Sequence, residues 1–391
     1  MTDIANRAFP SELIGASGER KMLYFRDEVR IEHKMLASAK VDVINAIAIS
    51  KPGDLVLLCG PTGVGKTTAA KAVAKTLTEG LLDELKTDLE RYPVLLSKLS
   101  VPGAGYFSWS YNFQRILRAA NEPLIHLKIP GRTRYTGSAI PQNERMNVGR
   151  YEQAYEKVLE HRRPLAVILD DAHNMGKVPP KRLPYMLDYV WTLAEFTKVP
   201  HVLPGTYDLL AIRDLSGQAA HRSIPIHFRR YTLEKDDRIA FAEAVKTLQG
   251  KMPVKQTPNF EAQFEYLMER SAGCVGILKE WLDRALAEAL LTGSTTVSVS
   301  HLKNTTLSDG ALAKIFSEIV EGEEWFFQQS EAYAEQLQQM RAPKTLTRTS
   351  DPNSKKIAVN EPRKGRIPKP GNRNPNRDEI GRQQHASTAP H

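Results

Sequence analysis

The sequence has few of the features that mark membrane or secreted proteins. Among its 391 residues there are two cysteines, Cys59 and Cys274, and two distant cysteines alone make neither a disulfide framework nor a zinc site. No apolar run approaches the roughly 18 residues of a membrane-spanning helix, and the first twenty residues contain no apolar signal core. We therefore expect a cytoplasmic protein with no membrane partner.

Acidic residues are outnumbered, and the basic excess is concentrated at one end. The formal net charge is +9, and residues 343–391 contribute +7 of it through eleven Lys/Arg against four Asp/Glu. The rest of the chain is nearly neutral, so any nucleic-acid binding there must come from local basic clusters. Residues 343–391 also lack aromatics, which predicts a disordered basic tail. That tail could bind DNA, dock onto a protein partner or serve only solubility.

Five short apolar runs alternate with helical patterns over the first two thirds of the chain. The predicted strands are 54–60, 92–101, 165–170, 199–206 and 223–231. Helical patterns occupy 23–50, 66–77, 108–123, 150–161 and 185–197. This alternation predicts an α/β fold with a parallel five-stranded sheet covered by helices.

Beyond Tyr231 only helical patterns occur, at 234–250, 258–271, 276–292 and 299–320. The expected organisation is an N-terminal helical segment (1–50), an α/β domain (51–232), a small helical domain (233–342) and the tail (343–391).

The segment between the first strand and the helix after it reads GPTGVGKT, a phosphate-binding loop pattern in its required strand–loop–helix context. Glycines let successive backbone N–H groups point into one concavity at a helix N-terminus, which suits an anion. The lysine would reach the β- and γ-phosphates of ATP, and the threonine after it would ligate Mg²⁺. The predicted ATP-binding residues are Gly60, Pro61, Thr62, Gly63, Val64, Gly65, Lys66, Thr67 and Thr68.

Two adjacent acids, Asp170 and Asp171, end the third predicted strand. Alone, such a strand end reads as an acidic turn. Beside a phosphate loop, Asp170 is the acid expected to hold the hydration shell of Mg²⁺ together with Thr67. The sequence thus predicts a Mg²⁺–ATP site.

Several stretches resemble the AAA+ ATPases and, within them, the transposition regulators TnsC, TniB and MuB. They are CGPTGVGKTT, FSWSYNFQRIL, VILDDAH, LPGTYDLLAIRDLSGQAAHRSIPIHFRRY and SAGCVGILKEWLDRALAEAL, between about residues 30 and 300. The resemblance implies an ATPase with a helical lid at 233–342. It also implies assembly as a ring or helical filament on double-stranded DNA, and a link between a target-selecting protein and transposase subunits in bacteria.

The resemblance also implies roles for single residues. Thr206 would sense the γ-phosphate, and Lys279 would be a basic lid residue at the nucleotide, although a solvated helix charge explains Lys279 equally well. Arg222 would project into the ATP site of a neighbouring subunit. Arg229 and Arg230 are its rivals.

One position departs from the family pattern. The family has Asp-Glu where this chain has Asp170-Asp171, and the second acid polarises the attacking water. A side chain shorter by one methylene can misplace its carboxylate, and a displacement of about 1 Å can cost roughly a hundredfold in rate. We therefore expect a weak ATPase that acts as a switch, unless the backbone or His173 compensates.

Two basic clusters are candidates for sequence-tolerant contact with DNA phosphates. Any one of these residues could equally be a solvated loop charge. Five aromatics, Tyr106, Phe107, Trp109, Tyr111 and Phe113, are expected to be core. The candidate DNA-binding residues are Lys128, Arg132, Arg134, Tyr135, Thr136, Arg145, Arg150, Lys181 and Arg182.

Two other functions fit the same nucleotide residues. One is a replication initiator or helicase loader, which a helix–turn–helix module would favour. The other is a nucleotide-gated protein scaffold with no role on DNA. Binding of a random duplex in the presence of ATP would separate them.

Overall fold

The computed structural model describes the backbone of residues 8–125 and 144–341 and the side chains of 8–125 and 148–327. The described residues up to Leu337 belong to one compact unit. Of the predicted tail, 343–391, nothing lies within the described residues. No helix in the described ranges is long and apolar enough to cross a membrane.

A five-stranded, all-parallel sheet forms the centre of the compact unit, as predicted. Its strands are β1 (Leu55–Cys59), β2 (Val94–Lys98), β3 (Ala166–Asp170), β4 (His201–Gly205) and β5 (Ser223–His227). The strand order is β2-β3-β4-β1-β5. Because all strands are parallel, their carboxyl ends lie along one side of the sheet, here called the carboxyl edge, and their amino ends lie along the opposite side, the amino edge. Ligands bind at the carboxyl edge in open α/β sheets.

Fourteen α-helices are seen in the described ranges. Those before β5 are α1 (Gly18–Leu23), α2 (Lys34–Ile49), α3 (Lys66–Glu79), α4 (Leu82–Thr87), α5 (Trp109–Ala119), α6 (Glu144–Arg162), α7 (Tyr185–Thr197), α8 (Asp208–Arg213) and α9 (Gly217–His221). Those after it are α10 (Lys235–Gly250), α11 (Phe264–Arg270), α12 (Val275–Leu291), α13 (Val299–Thr305) and α14 (Asp309–Arg341).

The two faces of the sheet bury separate cores, and β1 shows why. Successive strand residues point to opposite faces. Val56 and Leu58 join a core with α2, α3 and the helices after β5. Leu55 and Leu57 join a second core with α5 to α9. Since all five residues of β1 are buried, the strand is a continuous apolar run rather than an alternating one.

The structure differs from the sequence prediction at several helices. No helix was predicted for α4, α8 or α9, and the pattern predicted at 258–271 is an α-helix only over α11. The pattern at 23–50 is interrupted by extended backbone before α2, which begins after His33 because that ring caps the helix by accepting from Leu36 N. The pattern at 299–320 is broken into α13 and α14, and the Ser308 hydroxyl caps the second by accepting from Ala311 N. Helix α6 begins at Glu144, earlier than predicted.

Candidate nucleotide site

The phosphate-loop sequence connects the carboxyl end of β1 to the first residue of α3. Gly63 and Gly65 have φ of 75° and 116°, which residues with a Cβ rarely adopt. Gly65 is the cap of α3, and Lys66 is its first residue. The backbone therefore curls back over the N-terminus of a 14-residue helix, where backbone N–H groups have no partner inside the helix.

Neighbouring elements press so closely on this loop that side chains would not fit. A Cβ on Gly60 would lie 2.2 Å from the Phe228 carbonyl oxygen, and one on Gly63 would lie 2.4 Å from Ile277. From the other side, a Cβ on Gly276 would lie 2.3 Å from the Gly63 carbonyl oxygen. The loop is thus held between the end of β5 and the start of α12, so the helical region meets the nucleotide site directly.

Lys66 points back into the loop it terminates. Its Nζ donates to the carbonyl oxygens of Gly60 (2.8 Å) and Pro61 (2.7 Å). Burial lowers the pKa of this ammonium to about 8, because desolvation disfavours the charged form. A phosphate in the concavity would restore a counter-charge to this buried cation.

Thr67 and Asp170 come together at the carboxyl edge of the sheet. The Thr67 hydroxyl donates to Asp170 Oδ2 at 2.7 Å, and Asp170, the last residue of β3, is 4% exposed. A hydroxyl and a carboxylate side by side at a phosphate loop suit Mg²⁺, which takes oxygen ligands and keeps several waters. No cluster of three or more His, Cys, Asp or Glu that could hold a metal occurs in the described ranges, so protein ligation would rest on this pair.

Asp171 is turned away from the strand and paired with a cation that the sequence analysis missed. Its φ is 54°, and its carboxylate contacts Lys98 Nζ at 2.6 Å. Lys98 ends β2, directly opposite Asp170 in the register. Nearby, burial lowers the pKa of His173, and no described group hydrogen-bonds its Nδ1.

Thr206 follows β4 and lies at the same edge as the loop, because Gly205 pairs with Cys59 in the register. Its hydroxyl donates to Asp208 at 3.0 Å. The next residue, Tyr207, shares a 2.8 Å hydrogen bond with His227 at the end of β5. Thr206 is therefore at the carboxyl edge of the sheet, where a γ-phosphate sensor is expected.

Arg222 lies at the amino edge of the sheet, opposite the carboxyl edge that holds the phosphate loop. It precedes β5, and its carbonyl oxygen accepts from Leu55 N at the start of β1. The length of β1, about 13 Å at 3.3 Å per residue, separates this position from the phosphate loop of its own chain. Its guanidinium lies over the Trp191 ring, 5.4 Å from the centroid.

The two rival arginines are both bound to acids. Arg229 forms a two-point ion pair with the buried Asp237, and Arg230 pairs with Glu323 of α14. Of the three, Arg222 is the one whose guanidinium pairs with no acid among the described residues.

Lys279 lies in α12 and faces the N-terminal segment. Its Nζ contacts Asp283 at 2.6 Å and lies 4.2 Å from the centre of the Phe25 ring. Desolvation lowers its pKa. Its role at the nucleotide stays a prediction.

The predicted DNA-binding residues fall into two groups. Lys128, Arg132, Arg134, Tyr135 and Thr136 lie outside the described residues. The others are described at least in backbone: Arg145 and Arg150 belong to α6, not to the loop predicted there, and Lys181 and Arg182 are exposed on a 3₁₀ turn.

Among the five aromatics expected in the core, the structure separates two from the rest. Phe107 and Phe113 are buried, and Trp109 packs against them. Tyr106 and Tyr111 are 63% and 36% exposed, so the prediction was wrong for these two. Tyr106 belongs to the loop after β2 rather than to α5, so helical spacing did not apply to it.

Comparison with known proteins gives one family match. The family described as "AAA domain" matches residues 50–212. No curated protein matches the sequence. Solved structures that are similar include the ORC2 protein of Aeropyrum pernix in ADPNP–ADP complexes, with 14% identity, 73% of this chain and 71% of that chain covered, and a TM-score of 0.48.

Domain III of the replication initiation protein DnaA of Thermotoga maritima is also similar, with 11% identity, 73% and 98% coverage and a TM-score of 0.42. The matched segment 50–212 holds the phosphate loop, Asp170 and Thr206. This segment is therefore similar to the AAA domain family, and it lies in a fold with a P-loop and a five-stranded parallel sheet.

Proposed function

We propose that this chain is an ATP-dependent regulator that assembles on double-stranded DNA, marks a transposition target and recruits a transposase. The observation that carries the nucleotide part is the hydrogen-bonded pair Thr67–Asp170 beside the buried ammonium of Lys66. Their chemistry fits the triphosphate of ATP, with Thr67 and Asp170 holding Mg²⁺, which would neutralise charge on the phosphate oxygens.

Hydrolysis in this proposal is slow. Asp171 is the acid that the resemblance implies for orienting the attacking water, but it is one methylene shorter than glutamate and forms an ion pair with Lys98. ATP would therefore persist long enough to act as a switch.

Assembly in this proposal depends on Arg222 acting in trans. The phosphate loop lies at the carboxyl edge of the sheet, and Arg222 lies at the amino edge. A second copy whose amino edge faces the carboxyl edge of the first therefore brings its arginine to the first copy's triphosphate. A guanidinium forks onto phosphate oxygens, so ATP would join two copies. Repetition of that contact gives a ring or a helical filament.

The DNA and transposition parts rest on the resemblance to TnsC, TniB and MuB together with exposed basic residues. Lys181 and Arg182 are exposed, and Arg150 lies in α6 after the undescribed basic segment 126–143. Transposase subunits and a target-selecting protein are the proposed protein partners.

Complementation tests the core of the proposal. Lys66→Ala should abolish ATP binding, and Arg222→Ala should bind ATP but hydrolyse it slowly. Mixing the two variants should restore hydrolysis, because a Lys66→Ala copy can still offer Arg222 to the intact loop of an Arg222→Ala copy. No restoration at any mixing ratio would overturn the shared site.

A duplex of random sequence tests the DNA part. ATP should increase binding by wild type and not by Lys66→Ala, as measured by fluorescence anisotropy. ATP-dependent assembly without any affinity for duplex would instead indicate a nucleotide-gated scaffold.

A further inference from the structure

We infer that Trp191 positions Arg222 for the ATP of the neighbouring subunit. This inference rests on the proposed role of Arg222 in trans. The observation behind it is the placement of the guanidinium over the indole face, 5.4 Å from its centroid.

The indole is fixed from its own side. Trp191 belongs to α7 and packs against the core beneath that helix. One edge of its ring lies against Gly53, where a Cβ would be 2.8 Å from the indole Nε1. Gly53 has a φ of 91°, so a glycine suits both the turn and the close approach. The indole is thus packed between the core and the backbone of Gly53.

The backbone of Arg222 is fixed as well. Its N–H donates to the Gln218 carbonyl, and its carbonyl accepts from Leu55 N. With both backbone groups engaged, the freedom that remains lies in the side chain. In the described part of the chain, that side chain contacts the Trp191 ring.

A ring is a better support than an acid for an arginine that must bind a phosphate. The ring attracts the guanidinium through its face, which leaves the in-plane N–H donors available to fork onto an anion. A carboxylate would occupy those donors, as Asp237 does for Arg229 and Glu323 for Arg230. Trp191 therefore orders Arg222 without competing with ATP.

The test uses the complementation pair, with Trp191→Leu placed on one partner at a time. On the Lys66→Ala copy, which supplies Arg222, the substitution should lower the restored kcat by roughly 2- to 30-fold, the range given by cation–π attraction. The KM for ATP should change little, because the loop belongs to the other copy. On the Arg222→Ala copy, the same substitution should leave the restored rate unchanged.

Trp191→Phe on the Lys66→Ala copy should recover much of the rate, since phenylalanine keeps an aromatic face. Equal rates for tryptophan, phenylalanine and leucine at this position, within a pair that does restore hydrolysis, would overturn the inference while leaving the proposed function intact. Failure of the unmodified pair would instead overturn the proposed function.

If Trp191→Leu does not fold, fluorinated tryptophan incorporated into the Lys66→Ala copy provides a second measurement. Fluorination weakens the attraction of the ring face for a cation without changing the packing of the ring, so the restored kcat should fall. The same incorporation in Lys66→Ala/Trp191→Phe reports the effect of the other three tryptophans. An identical fractional loss in both proteins would also overturn the inference.

Discussion

At the scale of single residues, the buried ammonium of Lys66 should make nucleotide binding depend on pH. Its pKa in the free protein is about 8, and the charge of a bound phosphate raises that pKa. Above pH 8 the complex therefore holds more protons than the free protein. ATP affinity should fall in this range by up to about tenfold per pH unit. Below about pH 7 Lys66 is charged in both states, so the affinity should change little.

Calorimetric titration with ATP across that range, in buffers of different ionisation enthalpy, measures both the affinity and the proton uptake. Lys66→Arg is the matched control, since a guanidinium stays charged throughout. Its affinity, although lower, should not fall with pH in the same way. An unchanged wild-type affinity up to about pH 9 would show that Lys66 is not the titrating group.

Asp171 is the second residue with a sharp expectation. Asp171→Asn removes the proton acceptor and should lower kcat at least about tenfold, within the usual range for general-base loss. Asp171→Glu restores the missing methylene and should raise kcat above wild type. Steady-state phosphate release measures both. A wild-type rate in Asp171→Asn would remove this residue from the mechanism.

The residues that the sequence predicts well are those whose partners are local. The phosphate loop and the helix it caps are contiguous, so one short pattern specifies them. Lys98 and Trp191 could not be found in this way, because each acts through a neighbour brought close only by the sheet order or by helix packing. A hint existed for Lys98, since it closes a strand that leads to the same edge as Asp170.

At the scale of elements, α14 packs against the residue that follows Thr206. A Cβ on Gly322 would lie 2.0 Å from the Tyr207 ring, and Phe326 stacks on His227 with centroids 4.4 Å apart. Gly322→Ala should therefore destabilise the protein by about 1–3 kcal/mol through overpacking, less up to about 1 kcal/mol gained in helix propensity.

Gly310→Ala is the matched control in the same helix, because nothing lies within 4 Å of a Cβ there. It should be neutral or slightly stabilising. Urea unfolding of both variants measures the difference. Equal midpoints would show that α14 is not closely packed on Tyr207.

Elements were predicted where hydrophobic runs are short, and all five predicted strands are present. Breaks inside a helical pattern were missed, because apolar spacing continues across them. At Thr306–Ser308 the chain leaves one helix and enters another through a side-chain cap, which spacing does not reveal. The early start of α6 was missed because glycine and charged residues in its first turns obscure the apolar spacing that predicts a helix.

At the scale of the whole molecule, the two edges of one sheet carry complementary chemistry. The carboxyl edge holds the phosphate loop, Asp170 and Thr206, and the amino edge presents Arg222. The sequence pattern itself predicts the phosphate loop and Asp170, whereas Thr206 and Arg222 are predicted only through the family resemblance. The parallel sheet explains the separation, since Arg222 comes before a strand and the other residues come at strand ends.

The charge distribution leads to the last prediction, on DNA. With most of the net charge in residues 343–391, affinity from the folded part must come from clusters such as Lys181 and Arg182. Each phosphate contact contributes about −0.9 to the slope of log K against log salt. Lys181→Ala/Arg182→Ala in the full chain should therefore make the slope shallower by about 2 and weaken binding to all sequences alike.

The matched control is Lys235→Ala/Lys246→Ala, which removes two exposed cations from α10. It lowers the net charge equally, so it reports the general electrostatic effect. Anisotropy titrations with one duplex at several salt concentrations compare the two double variants. If both double variants change the slope by the same amount, DNA binding depends on the net charge of the protein, and the surface around Lys181 is not the DNA-binding site.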